Sequence, residues 1–157
     1  MRLISLLIIL MVAGASFMLD RNALTGTRWH CKTIKTGFLS QAFRPYQSLY
    51  ERMIFTFQSE HTFSIKEFVT IAERDGQTST MENLYSGHYL LDGNRLSMSI
   101  LDVRTAVPFH DPVINQEYSE YKGVTIDYAV ALTDNSLYLF NEHHAEIFNS
   151  ACFKVQQ

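Results

Sequence analysis

The sequence has no run of lysine or arginine, only two cysteines and a single tryptophan. Scattered bases and a formal net charge of −3 leave no electrostatic reason to expect a nucleic acid as a direct ligand. G-x-S-x-G, H-E-x-x-H, a phosphate-cradling glycine loop and C-x-x-C are all missing. Their absence removes the nucleophile elbow, the zinc-protease helix, the nucleotide cradle and the dithiol redox pair. No cofactor motif, internal repeat or low-complexity tract occurs. What is abundant is apolar: 46% of the 157 residues are hydrophobic and 13% aromatic, which argues for a folded core.

Residues 3 to 19, LISLLIILMVAGASFML, carry no charge, with Arg2 before them and Asp20 and Arg21 after. As a helix this run spans about 25 Å, at the short end of what crosses a bilayer. It reads as an uncleaved signal anchor with Arg2 in the cytoplasm, or as a signal peptide cut after Ala13-Gly14-Ala15. Phe17-Met18-Leu19 would leave an oily new terminus after such a cut, which favours the anchor. No lipobox cysteine argues for a lipoprotein. Either reading exports the rest of the chain: residues 1–20 form the anchor, or alternatively a cleaved signal peptide, and 21–157 one exported domain of about 135 residues.

Export bears on the thiols. In an oxidising compartment an isolated pair is expected to bridge, so Cys31 and Cys152 are assigned a disulfide joining the first element of the fold to the last. The alternative is two buried free thiols.

The dominant period is two. Residues 124–133, VTIDYAVALT, put Val124, Ile126, Tyr128, Val130 and Leu132 on one face. Residues 51–58 put Met53, Phe55 and Phe57 on one side. Residues 62–72 align Phe63, Ile65, Val69 and Ile71, with Glu67 interrupting, so that a bulge re-aims this position or a carboxylate points inward. Asp92-Gly93-Asn94 and Asp134-Asn135-Ser136 mark hairpins. Eight strands follow, near 28–35, 51–58, 62–73, 82–91, 95–104, 124–133, 137–141 and 150–155. They predict an all-β, antiparallel, lipocalin-like barrel or half-barrel. Closure would bring the first and last strands together, where the two cysteines lie. Residues 36–50 read as a short helix or lid. Residues 105–123, with two of the three prolines, form a long connection of the kind that is functional or mobile.

An eight-stranded barrel has an interior that side chains just fill or that holds one small ligand. Phe55, Phe57, Phe63, Tyr89, Met98, Tyr128 and Phe140 are the candidate lining, each alternatively ordinary core. Arg44 and Arg52 are candidates at the mouth, alternatively solvated. The pattern suits an amphipathic ligand with its apolar body inside and its anion at the rim. Glu142-His143-His144-Ala145-Glu146 is the best metal candidate, with His110-Asp111 as distant help. Adjacent strand histidines point to opposite sides, so a solvated loop is the plainer reading and no metal is assigned. Glu67, an acid on an apolar face, is the only hint of catalysis; no catalytic residue is assigned.

The stretch FMLDRNALTGTRWHCKT, with Phe17, Leu19, Asp20, Arg21, Leu24, Thr25 and Trp29, resembles the membrane-to-periplasm junction of bacterial membrane proteins of the ToxS/VtrC type. SGHYLLDGNRLSMSI, with Gly87, Tyr89, Asn94 and Leu96, is similar to their glycine–aromatic hairpin. The resemblance implies a single-pass inner-membrane protein with a lipocalin-like periplasmic domain and no enzymatic activity. Its implied partner is the periplasmic domain of a membrane-tethered winged-helix transcription activator, with which it senses bile salts and controls virulence genes. A free periplasmic carrier of an apolar ligand and an exported structural or inhibitor domain are the other readings.

Overall fold

A computed structural model describes residues 22–34, 41–141 and 149–155. Eight antiparallel strands close into a barrel in simple sequence order: β1 Thr27–Ile34, β2 Ser48–Phe57, β3 Thr62–Ala72, β4 Thr78–Asp92, β5 Arg95–Val107, β6 Thr125–Leu132, β7 Ser136–Asn141 and β8 Ser150–Lys154. The alternative of a half-barrel is set aside, because β1 pairs with β8 as well as β2. All eight expected strands are present. β2, β4 and β5 run longer than expected: β2 begins at Ser48 and β5 ends at Val107, inside segments read as lid and connection, and β4 begins with the polar Thr78-Ser79-Thr80.

The period of two is expressed as burial. β3 alternates without a break along its length, with Phe63, Ile65, Glu67, Val69 and Ile71 inside. No bulge re-aims Glu67, and its carboxylate is buried. β2 sends Leu49, Glu51, Phe55 and Phe57 inward. Cys31 lies opposite Cys152 across the β1–β8 seam, and the two form a disulfide with their Cα atoms 4.0 Å apart and a sequence separation of 121. The β4–β5 hairpin turns at Gly93, whose φ of 57° explains the glycine. Its register shifts between Ser86 and Gly87, where the strands come so close that a Cβ on Gly87 would stand 1.9 Å from the Ser99 carbonyl oxygen.

The two ends of the barrel are built differently. At the end where the chain enters, Trp29, Phe57, Phe63 and Leu24 are fully buried. Trp29 Nε1 donates to Thr27 Oγ1 at 2.7 Å, and the Phe57 and Tyr89 rings meet edge to face at 4.8 Å. This end is an aromatic plug. At the other end the connection after β5 carries a helix, α1 Pro112–Ser119, within the long segment expected only as a connection. Asp111 caps it by accepting from the Val113 amide at 2.9 Å, and Pro112 opens the first turn. Ile114 and Tyr118, one turn apart, are the face it buries. A short 3₁₀ turn, Gln41–Phe43, lies beside it. The lid expectation for residues 36–50 is met in part: Phe43 packs on Tyr118 and Tyr46 on Phe109, while Tyr46 donates to Asp111 at 2.9 Å. Residues 36–40 lie outside the described residues, as do the apolar run and the Glu142–Glu146 metal candidate. Among the described residues no helix is long and apolar enough to cross a membrane.

Candidate functional site

The lid covers a cavity of about 80 Å³ in the barrel. Its wall includes Met53, Phe55, Ile65, Ile100, Ile126 and Tyr128, and its polar surface is supplied by Glu51, Glu67, Tyr85 and Tyr118, with Thr33 and Ser150 beside them. The strands fix these positions by parity alone. Glu51 shares the inward face of β2 with Phe55, and Glu67 that of β3 with Ile65.

The two carboxylates are nearly inaccessible, and each accepts from a tyrosine. Tyr85 donates to Glu67 Oε2 at 2.6 Å, and Asn83 Nδ2 donates to the same oxygen at 3.2 Å. Thr105 in turn donates to Asn83 Oδ1 at 3.0 Å, which sets the amide's orientation. Tyr118 reaches down from α1 and donates to Glu51 Oε1 at 3.0 Å. Thr33 and Ser150 share a hydrogen bond of 3.1 Å across the β1–β8 seam, on the Cys31 side of the wall. Burying carboxylates without hydrogen-bond donors would cost several kcal/mol, so the tyrosines are required by the acids.

The electrostatics follow. Burial first, and then the neighbouring Glu67, push the Tyr85 phenol well above its usual range. Burial and then Glu51 do the same to Tyr118. Tyr128, buried and facing both acids, is pushed up to about 12. All three phenols are protonated donors at neutral pH. Among the described residues, no lysine, arginine or histidine lines the cavity. The interior therefore suits neutral hydrogen-bonding or cationic groups and repels a buried anion. Among the described residues no group of three or more metal-ligating side chains converges.

Of the candidate lining residues, Phe55 and Tyr128 face the cavity. Phe57, Phe63, Tyr89 and Met98 are buried but lie outside its lining, in the closed core. Phe140 faces outward and is 44% exposed, because Leu137, Leu139 and Asn141 take the inward positions of β7. Arg52 is on the outer wall rather than the mouth, its guanidinium 4.7 Å from the centre of the Phe68 ring. Arg44 is exposed on the turn after the 3₁₀ segment, at the lidded end, where its carbonyl accepts from Arg74. Sequence reasoning passed over Glu51, Asn83, Tyr85 and Tyr118. Glu51 was legible by counting back two from Met53, and Asp111-Pro112 announces the helix that carries Tyr118.

Among the described residues, the wall opens beside the second half of β5. β6 pairs with β5 only from Arg95 to Ser99, and main-chain bonds between Ile100 and the Gly123–Val124 segment extend the contact by one residue. From Asp102 to Val107, β5 has a strand partner on the β4 side alone, and the α1 connection stands where the next strand would be. No protein-family model matches the chain, and no curated protein matches it significantly.

Proposed function

We propose that this chain is a non-enzymatic, membrane-anchored periplasmic co-regulator whose barrel pairs with the periplasmic domain of a membrane-tethered transcription activator and helps sense an amphipathic ligand such as a bile salt. The observation that carries this reading is the gap beside the lid. With the α1 connection moved aside, the side of β5 turned away from β4 over Asp102–Val107 would offer main-chain donors and acceptors to an added strand. The same stretch borders α1, so a partner bound there touches the element that covers the cavity. Tethering both proteins in one membrane raises their effective concentration for each other.

The cavity limits how a ligand is held. At about 80 Å³ it has room for two or three waters and falls well below the roughly 300 Å³ of a typical ligand pocket. A bile salt enters only with the lid displaced. Its carboxylate or sulfonate stays at the rim, away from Glu51 and Glu67, and its hydroxyls meet the acids and tyrosines within.

Titrating the full chain with cholate and with oleate, alone and with the periplasmic domain of a membrane-tethered winged-helix activator, tests the proposal. Heat release and a raised melting temperature in the presence of the partner are expected. No heat and no thermal shift in either format would exclude it. A second reading is favoured by the β1–β8 seam: the ring of strands closes without a partner, as a free carrier requires. N-terminal sequencing of the exported protein separates the two, since a new terminus at Ser16 belongs to a carrier.

A further inference from the structure

The outer wall of β7, β8, β1 and β2 differs in charge from the rest of the molecule. Its outward strand positions are Ser136, Tyr138 and Phe140 on β7, and Ala151 and Phe153 on β8. They continue as Arg28, His30 and Lys32 on β1, and Ser48, Tyr50, Arg52, Ile54 and Thr56 on β2. None of these is a carboxylate, although the chain as a whole is acidic by three charges. The single acid on these four strands, Glu51, points inward.

Register places the aromatic and basic groups side by side. Tyr138 lies opposite Ala131 on one side and Ala151 on the other, Ala151 is opposite Lys32, and Lys32 is opposite Arg52. Phe153 lies opposite His30. Tyr138, Phe140 and Phe153 are 39%, 44% and 57% exposed; alanines flank Tyr138 on both sides and Ala129 lies opposite Phe140, so these rings stand proud of the wall. Tyr138 and Phe140 stack on each other with their ring centres 6.5 Å apart. His30 is held below its usual range by burial first and then by Arg52 and Lys32, a sign of local positive potential.

The chain's path fixes what this face meets. Asn22 is bonded to the barrel end through the Glu60 carbonyl, and Leu24 is buried beneath it. Asn22 stands only three positions after the last apolar residue of the N-terminal run, Leu19, a reach of about 10 Å. If that run lies in a bilayer, the barrel sits against the lipid headgroups and one of its faces rests on them.

We infer that the β7–β8–β1–β2 wall is a lipid-docking face, its exposed aromatics entering the interface and its arginines and lysine meeting anionic headgroups. This rests on the anchored reading given above. Aromatic rings favour the headgroup level, and basic side chains are drawn to anionic lipid over a Debye length. Docked in this way, the barrel turns β4 and the free stretch of β5 toward solvent, where a partner can reach them.

The test uses the full chain in nanodiscs of phosphatidylcholine, alone or mixed with phosphatidylglycerol. A single added thiol is dye-labelled at Ala131→Cys, beside Tyr138, or at Thr80→Cys, exposed on β4. Brominated lipid should quench the Ala131 label several-fold more than the Thr80 label in the anionic discs. Lys32→Glu with Arg52→Glu, or Phe153→Ser, should collapse the difference. Equal quenching of both labels in anionic discs overturns the docking face while leaving the anchor intact. A difference as large in pure phosphatidylcholine overturns the headgroup charge pairing, and one that grows with protein density assigns the face to a second copy instead. A chain that stays out of the discs altogether overturns the anchored reading and this face with it.

Discussion

Tyr118, on the helix that closes the barrel, donates a 3.0 Å hydrogen bond to Glu51, buried in the second strand 67 residues earlier. The bond ties the lid to the floor it covers, and with the edge-to-face contact of Phe43 on Tyr118 it holds α1 in place. Tyr118→Phe keeps the ring and removes the donor. A stability loss of about 1–3 kcal/mol is expected, since a buried acceptor loses a partner. Amide exchange in residues 112–119 should quicken while β3 and β4 stay protected. Uniform exchange rates across the molecule would show that the lid is held by packing alone.

Gly87 is required for a different reason. A methyl group there would overlap the Ser99 carbonyl of the neighbouring strand, a backbone atom that a rotamer change cannot move. Gly87→Ala should force β4 and β5 apart and lower stability by at least about 1–3 kcal/mol, the usual range for overpacking. Ser86→Ala, one residue away on the exposed side, should be close to neutral. Thermal melts of the two variants make the comparison.

The disulfide closes nearly the whole folded chain into a loop, its cysteines separated by 121 positions in sequence. In the chain-entropy model a loop of that length contributes ~4–5 kcal/mol. Cys31→Ser with Cys152→Ser should lower the urea midpoint accordingly, without a large change in slope. An unchanged midpoint would mean that β1 and β8 hold together through main-chain pairing and packing.

Tyr85, Tyr118 and Tyr128 predict alkaline sensitivity. Their folded-state values lie above the ordinary 10, with Tyr128 near 12. In the unfolded chain they ionise at about 10, so the unfolded state loses protons first. Their contribution to stability is complete below about pH 10 and declines as pH rises toward 12 and beyond. Tyrosinate absorbance should appear in two stages, exposed phenols first and the buried ones together with unfolding. A single smooth titration near pH 10 would place these rings in solvent.

Much of the architecture is a local property. A strand half buried in a barrel must alternate, and residues 62–72 and 124–132 do so legibly. Two cysteines near opposite ends of the strand series announced the seam they join. The site was less legible because it is made by closure. Glu67 stood out as an acid on an apolar face, but its partners Tyr85 and Asn83 come from the next strand, and Glu51 gains Tyr118 from a helix far along the chain.

β7 shows the limit most plainly. Ser-Leu-Tyr-Leu-Phe offers two apolar faces, Leu137 with Leu139 or Tyr138 with Phe140, and nothing within the strand chooses between them. Pairing of Leu137 with Cys152 settles the choice, because the half-cystine faces inward and neighbours across a ladder share a face. The order of residues thus determined that strands would form, how many, and where they would turn, since those are short-range matters of period and turn chemistry. Which side of each strand became core, cavity or outer wall was decided by the ring of neighbours, because parity acquires meaning only when a barrel closes around it.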